Sequence, residues 1–190
     1  MIKLLEEHLT RYGRISDKFT DHSYKDFYVK EFEKYRNLPI NLVEIGVHTG
    51  CSIALWQEYF THPDTEIYGI DPDFAIIEDV YYKPNAHYIW DNAFSPDTLD
   101  KLKSVNFDII IDDGSHTEQD QLACIREYLP KLKKNGVMII EDIDPIEKLD
   151  RLANNNVPPG YQIEKIDLRH IINRIDDILL VIRYGETEKS

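Results

Sequence analysis

Phe107-Asp108-Ile109-Ile110-Ile111-Asp112-Asp113-Gly114-Ser115-His116 is the stretch on which the fold turns. Its isoleucine run is apolar on both faces, which suits a central parallel strand covered by helices. It ends in acids, glycine and histidine, as strands do where they open into a ligand crevice. Val137-Met138-Ile139-Ile140-Glu141-Asp142-Ile143 repeats that grammar. Between the two, Leu122, Ile125, Leu129 and Leu132 recur at helical spacing after Thr117, with Asn135-Gly136 as the expected stop. Strand, helix, strand implies a parallel pair; as neighbours, their acidic tips would lie about 4.8 Å apart.

Working outward, Asn41 to Ile45, Glu66 to Ile70 and Ala86 to Trp90 read as three further strands. Helices are expected over Ser52 to Phe60, after a glycine turn, and over Pro96 to Leu102, where Ser95 is an N-cap followed by proline. Pro158-Pro159-Gly160 breaks the chain. Beyond it, Tyr161 to Leu168 and Ile178 to Tyr184 read as an antiparallel pair at a sheet edge. The expectation is an α/β fold with a mostly parallel central sheet and helices on both faces. Residues 1–38, charged and aromatic, read as a short helical cap with Phe27, Phe32 and Tyr35 on one face. Residues 39–184 are the main domain, and 185–190 a polar tail expected to fray.

A chain of 190 residues, 42% hydrophobic and 30% charged, fits one globular domain with a real core. No apolar run approaches the roughly 20 residues of a membrane span. The acids in Met1 to His8 do not suit a signal peptide, so the cytoplasm is the expected compartment. A formal net charge of −13 without a basic stripe argues against a nucleic-acid partner. Cys51 and Cys124 form neither a disulfide framework nor a zinc set.

Val43-Glu44-Ile45-Gly46-Val47-His48-Thr49-Gly50 puts two glycines between the first strand and its helix, where a backbone can approach a nucleotide-like ligand. It is neither a dinucleotide fingerprint nor a P-loop. Asp71 closes the second strand, where a carboxylate can accept two hydrogen bonds from a ribose diol. These segments resemble motifs I and II of class I S-adenosylmethionine-dependent methyltransferases, a Rossmann-like fold. The resemblance implies S-adenosylmethionine as cofactor and S-adenosylhomocysteine as product, with residues 39–184 as the cofactor-binding catalytic domain. It assigns Glu44, Gly46 and Gly50 to the turn at the methionine part, Asp71 to the ribose, and Asp91 and Asn92 to the adenine side.

Asp112, Asp113, Glu141 and Asp142 would repel one another in a shared crevice unless a cation or proton intervened. A hard divalent ion, Mg²⁺ above all, is the simplest solution for an all-oxygen set. A hydroxyl on such an ion acidifies, and His116 stands three residues after Asp113, where it can take the proton. His48, His62, His87 and His170 read as solvated or capping residues. Asp-Gly-Ser-His followed by Glu-Asp resembles the metal-dependent sugar O-methyltransferases of macrolide antibiotic biosynthesis, the mycinamicin and macrocin type, with relatives in polysaccharide clusters. That resemblance implies Asp113, Glu141 and Asp142 as metal ligands and His116 as general base. Asp112 would then face the cofactor, and the upstream segment Asp17-Lys18 with His22 and Tyr24 would lie near its methionine end. The implied acceptor is a hydroxyl of a sugar or glycan, and a homo-oligomer is expected. Glu-Asp, where catechol-type enzymes usually carry Asp-Asn, favours sugars. Alternatives are a catechol-like acceptor, a metal-dependent hydrolase, or a non-catalytic nucleoside-binding module of glycan assembly. Tyr24, Tyr28, Tyr81 and Tyr82 are either packing residues or the walls of a sugar pocket.

Overall fold

The computed structural model describes residues 16–73, 84–154 and 156–184. Residues 1–15, Tyr81-Tyr82 and the polar tail, on which expectations were stated above, lie outside them. Seven strands form one sheet: β1 (Asn41–Ile45), β2 (Glu66–Ile70), β3 (Ala86–Ile89), β4 (Phe107–Asp112), β5 (Leu132–Ile140), β6 (Tyr161–Asp167) and β7 (Ile178–Tyr184). Their order is β3-β2-β1-β4-β5-β7-β6, with β7 antiparallel to both β5 and β6 and every other pair parallel. The expected α/β architecture and its antiparallel edge are present.

The helices are α1 (Lys25–Phe32), α2 (Cys51–Tyr59), α3 (Pro96–Lys101), α4 (Glu118–Tyr128), α5 (Glu147–Ala153) and α6 (Arg169–Ile172). Ser95 and Thr117 cap α3 and α4 by accepting from the amides of Thr98 and Asp120. One expectation fails: Asn135-Gly136 does not stop α4. That helix ends at Tyr128, where Pro130 cannot supply the next helical N–H and the chain passes through the 3₁₀ turn Leu129–Lys131. Asn135 and Gly136 lie inside β5, whose pairing with β4 shifts register between Phe107 and Ile109.

Alternation along the strands divides the core between the two faces of the sheet. Val43, Ile110, Met138 and Leu180 pack with Ile125 and Tyr128 of α4 and Leu152 of α5. Leu42, Ile109, Ile111, Ile139 and Val181 pack with Tyr28 and Phe32 of α1 and Trp56 of α2. The described part of the N-terminal cap thus shares the core of the sheet. Phe32 and Tyr35 are buried there, with Phe27 packed against the cluster's edge.

Gly46, at the end of β1, has φ +80, and a Cβ placed on it would lie 2.0 Å from the Asp113 carbonyl oxygen. The turn and the tip of β4 therefore pass in backbone contact, which only glycine permits. Gly46→Ala is expected to cost about 3 kcal/mol or more of unfolding free energy. Gly160→Ala, also at positive φ but with nothing within 4 Å, should cost about 1 kcal/mol. Denaturant titration of the two variants measures the difference.

Candidate active site

Strand order reverses at β1, flanked by β2 and β4, so the carboxyl ends of these strands open a crevice. A cavity of about 390 Å³ occupies it, within the range of small-molecule sites. Asp17, the turn Gly46 to Thr49, Asp71, Asp113, Gly114 and His116 line it. Gly46 and Gly50 hold left-handed backbone at the two ends of the turn. Asp71 accepts from the amides of Val47 at 2.9 Å and His48 at 2.8 Å, so it braces the loop while bordering the cavity.

The decisive adjacency is present. Asp112 is in register with Ile45 on one side and Ile140 on the other, the amide of Asp113 donates to Ile45, and that of Glu141 donates to Asp112. Consecutive residues at the β4 tip point opposite ways. Asp112 is buried, and burial pushes its carboxyl up to about 7; Gly114 donates to one oxygen and Cys124 lies against it. It does not line the cavity.

Asp113 points toward a residue that sequence reasoning placed near the site but gave no role. Lys18, 1% exposed, ion-pairs with Asp113, with Glu141 at 3.0 Å and with Glu44 at 3.2 Å. Burial opposes its charge, but the three carboxylates outweigh that and hold its pKa well above the ordinary lysine value. Burial likewise opposes ionisation of Asp113, and Lys18 with His116 overrules it, so the Asp113 pKa lies below normal. Glu141 and Glu44 are pushed up, by burial first. Glu141 is further tied by the Tyr28 hydroxyl, and Glu44 by the Trp56 indole at 2.7 Å. Glu44 therefore braces the interior behind the turn and is not among the cavity walls.

Asp113 and His116, which line the cavity, meet the buried Asp142, with one donor atom from each within 4.8 Å of the others. His116 Nε2 lies 3.3 Å from Asp113 Oδ1 and 3.6 Å from Asp142 Oδ2. Burial works against the imidazolium, yet the hydrogen bond to Asp113 and the charges of Asp142 and Asp113 raise the His116 pKa. Carboxylates meeting in this way suit a hard divalent cation, and the imidazole beside them suits a base. Glu141, expected as a third ligand, stands next to this group with its two oxygens meeting Lys18 and Tyr28.

His22 and Tyr24 stack on each other and reach the acids rather than the cavity. Tyr24 donates to Asp142 Oδ1 at 2.6 Å, and His22 Nδ1 lies 2.8 Å from Asp177 and 3.4 Å from Asp142. Tyr24 and Tyr28 are fully buried and serve as hydroxyl donors to carboxylates, a role distinct from lining a sugar pocket. Asp91 and Asn92 accept from Ser95, Thr98 and Phe94 at the start of α3, and neither lines the cavity. A lysine amid aromatics in a 3₁₀ turn carries no periodic signal, which is why Lys18 was assigned no part.

The sequence profile of a family described as a methyltransferase domain matches residues 43–143, just over half of the chain. The 8-demethyl-8-alpha-L-rhamnosyl tetracenomycin-C 2'-O-methyltransferase of Streptomyces olivaceus is 28% identical over 137 residues, covering 67% of this chain and 35% of that one. The mycinamicin VI 2''-O-methyltransferase of Micromonospora griseorubida is 29% identical over 132 residues, covering 64% and 32%. The chain thus spans about a third of the length of these curated relatives. A mycinamycin-pathway methyltransferase solved with Mg, SAH and mycinamycin VI superposes with a TM-score of 0.71 at 22% identity, covering 98% of this chain and 56% of that one. That likeness establishes the fold.

Tyr28→Phe keeps the ring and removes the donor to Glu141. Leaving a buried carboxylate oxygen short of a hydrogen bond should cost about 1–3 kcal/mol of stability, read by chemical denaturation.

Proposed function

This chain belongs to that methyltransferase-domain family, and we propose that it is an S-adenosylmethionine-dependent O-methyltransferase, assisted by a divalent cation, acting on a hydroxyl of a sugar or glycan. The observation that carries the reading is the meeting of Asp113 and His116, which line the cavity above the glycine turn, with the buried Asp142 beside them. The sugar O-methylation named for the tetracenomycin and mycinamicin relatives supports the acceptor class.

When bound, S-adenosylmethionine would supply an electrophilic methyl group and the cation a Lewis-acidic seat for the acceptor oxygen. The turn from Gly46 to Gly50 and the first amides of α2 suit the methionyl end, and Asp71 at the cavity edge suits the ribose diol. Asp113 and Asp142, with Glu141 next to them, would hold the cation, and His116 Nε2 would take the hydroxyl proton. A cation held there would offset the carboxylates that keep the imidazolium charged, and so would leave His116 neutral to act as the base. Residues 39–184 are the proposed catalytic body and 16–38 the segment that fastens its acidic rim. Among the described residues no helix is long and apolar enough to cross a membrane. The two buried free thiols suit a reducing compartment, and the cytoplasm is the proposed place of work, as a homo-oligomer.

Calorimetry with S-adenosylhomocysteine and a methyl-transfer assay on sugar acceptors test the reading together. Binding without transfer would favour a non-catalytic module, and no binding would sink the proposal. His116→Ala should keep cofactor affinity within threefold and lose about 10² to 10⁴ in turnover. Activity should fall in excess chelator and return with Mg²⁺, and Asp113→Ala should abolish that response.

A further inference from the structure

The connection between β6 and β7 lies at the same edge of the sheet as the acidic group, since β7 runs antiparallel to β5 and Asp167 is in register with Ile178. One hydroxyl links the two places: that of Tyr24 meets Asp142 Oδ1 at 2.6 Å and the Asp176 carbonyl oxygen at 3.1 Å. A second cavity, of about 440 Å³, opens in this connection, and the function proposed above gives it no occupant. Arg169 and Arg174 line it, with His170, Asn173, Ile175 and one acid, Asp167. The cavity above the glycine turn has the opposite character, being lined by Asp17, Asp71 and Asp113 and by no lysine or arginine. In a chain of net charge −13, two arginines in one hollow set this place apart.

Both guanidinium groups are held in place with one edge still open. Arg169 gives Nε and Nη2 to Asp167 at 2.9 and 2.7 Å, and Arg174 gives Nε and Nη2 to Asp176 at 2.7 and 3.3 Å. Each pairing uses one fork of a planar group with five N–H donors and leaves the fork between Nη1 and Nη2. Arg174 Nη1 reaches only the Asp21 carbonyl oxygen, at 3.5 Å. The two carboxylates thus fix the orientation of the arginines, and the remaining forks match pairs of phosphate oxygens. Ile175, 69% exposed, belongs to the cavity wall, and Ile171 and Ile172 of the same connection are at least half exposed, an apolar border suited to an organic group carried on the phosphate. We propose that this cavity is a phosphate subsite, which holds the charged end of a phosphate-linked sugar while the sugar hydroxyl lies at His116. The acceptor half of this statement rests on the function proposed above. The phosphate half needs only the two arginines.

In calorimetry at low salt, glucose 1-phosphate should bind the protein about tenfold or more tighter than methyl glucoside. Arg169→Gln, at an exposed position, should fold as the parent does and weaken that binding about fivefold or more, and Arg169→Gln/Arg174→Gln should remove the preference. Lys101→Gln/Lys103→Gln, ahead of β4 at the opposite edge of the sheet, should leave it unchanged. Equal binding of the two probes, an Arg169→Gln variant that binds as the parent does, or an equal loss in the lysine pair overturns the proposal. Hexyl phosphate and uridine monophosphate then identify the group beyond the phosphate. The tighter of the two marks a lipid-linked or a nucleotide-linked acceptor and supports the site, whereas binding of neither overturns it. With methyl transfer as the readout, Arg169→Gln should raise KM for the sugar phosphate about fivefold or more, keep kcat within about twofold and leave neutral sugars unaffected. An unchanged KM overturns the acceptor half. Absence of transfer to every acceptor sinks the function proposed above together with that half, and the calorimetry still decides the phosphate half.

Discussion

The carboxyl edge of the sheet concentrates negative charge in a place where water cannot screen it. The register of β4 against β5 sets Asp113 beside Glu141 and Asp142, and β1 adds Glu44 from the other side. Such a cluster is stable only if cations or hydrogen-bond donors enter it, since isolated buried carboxylates cost several kcal/mol each. Lys18, Tyr24, Tyr28, Trp56 and His22 all come to it, and three of the five aim hydroxyl or indole donors at single carboxylate oxygens.

Most of those partners come from one short segment, residues 18–28, that precedes the sheet. Aromatic rings anchor it: Tyr28, and Phe32 one turn further along the helix, pack against Trp56 with centroids 5.5 and 5.3 Å apart. Its polar tips then reach acids that are distant in sequence, Glu141, Asp142 and Asp177. The apolar contact and the polar contact are made by the same residues, so docking the segment and composing the acidic rim are one event. The site is assembled by tertiary folding of this segment as much as by the sheet.

That division explains what could be read from the sequence. The strands, their parallel order and the meeting of the two acidic tips follow from hydrophobic runs and strand-end chemistry, and each is local in the chain. The glycine turn and the closeness of His116 to Asp113 are local too. The partners of Glu141, the brace on Asp71 and the ion pairs of Lys18 depend on contacts between residues far apart, for which a single sequence holds no periodic signal. Asp112 and Asp113 illustrate the limit most sharply. Strand alternation sends one inward and the other outward, but only the packing of Cys124 against Asp112 tells which. The misplaced end of α4 has a similar origin, because Asn135-Gly136 has the composition of a helix stop and is used instead where β5 crowds the Asp108 carbonyl.

Backbone strain at the crevice follows a consistent logic. Three non-glycine residues there hold positive φ: His48 at 40°, His116 at 57° and Asp142 at 54°. Outside it, among the described residues, the same conformation falls only to Asn135 and Asn173, and asparagine tolerates it. A histidine or aspartate so placed costs on the order of 1 kcal/mol and must be held by its surroundings. Each of the three has its own backbone clamped by a side chain from another element. The His48 amide donates to Asp71 at 2.8 Å, the His116 carbonyl accepts from the buried Lys148 at 2.9 Å, and the Asp142 amide donates to the Tyr24 hydroxyl at 3.3 Å. Those clamps fix where the imidazole and the carboxylate stand before any ligand arrives. A rim prepared in this way spends the stability of the apolar sheet on orientation, which is the contribution that positioning makes to catalysis.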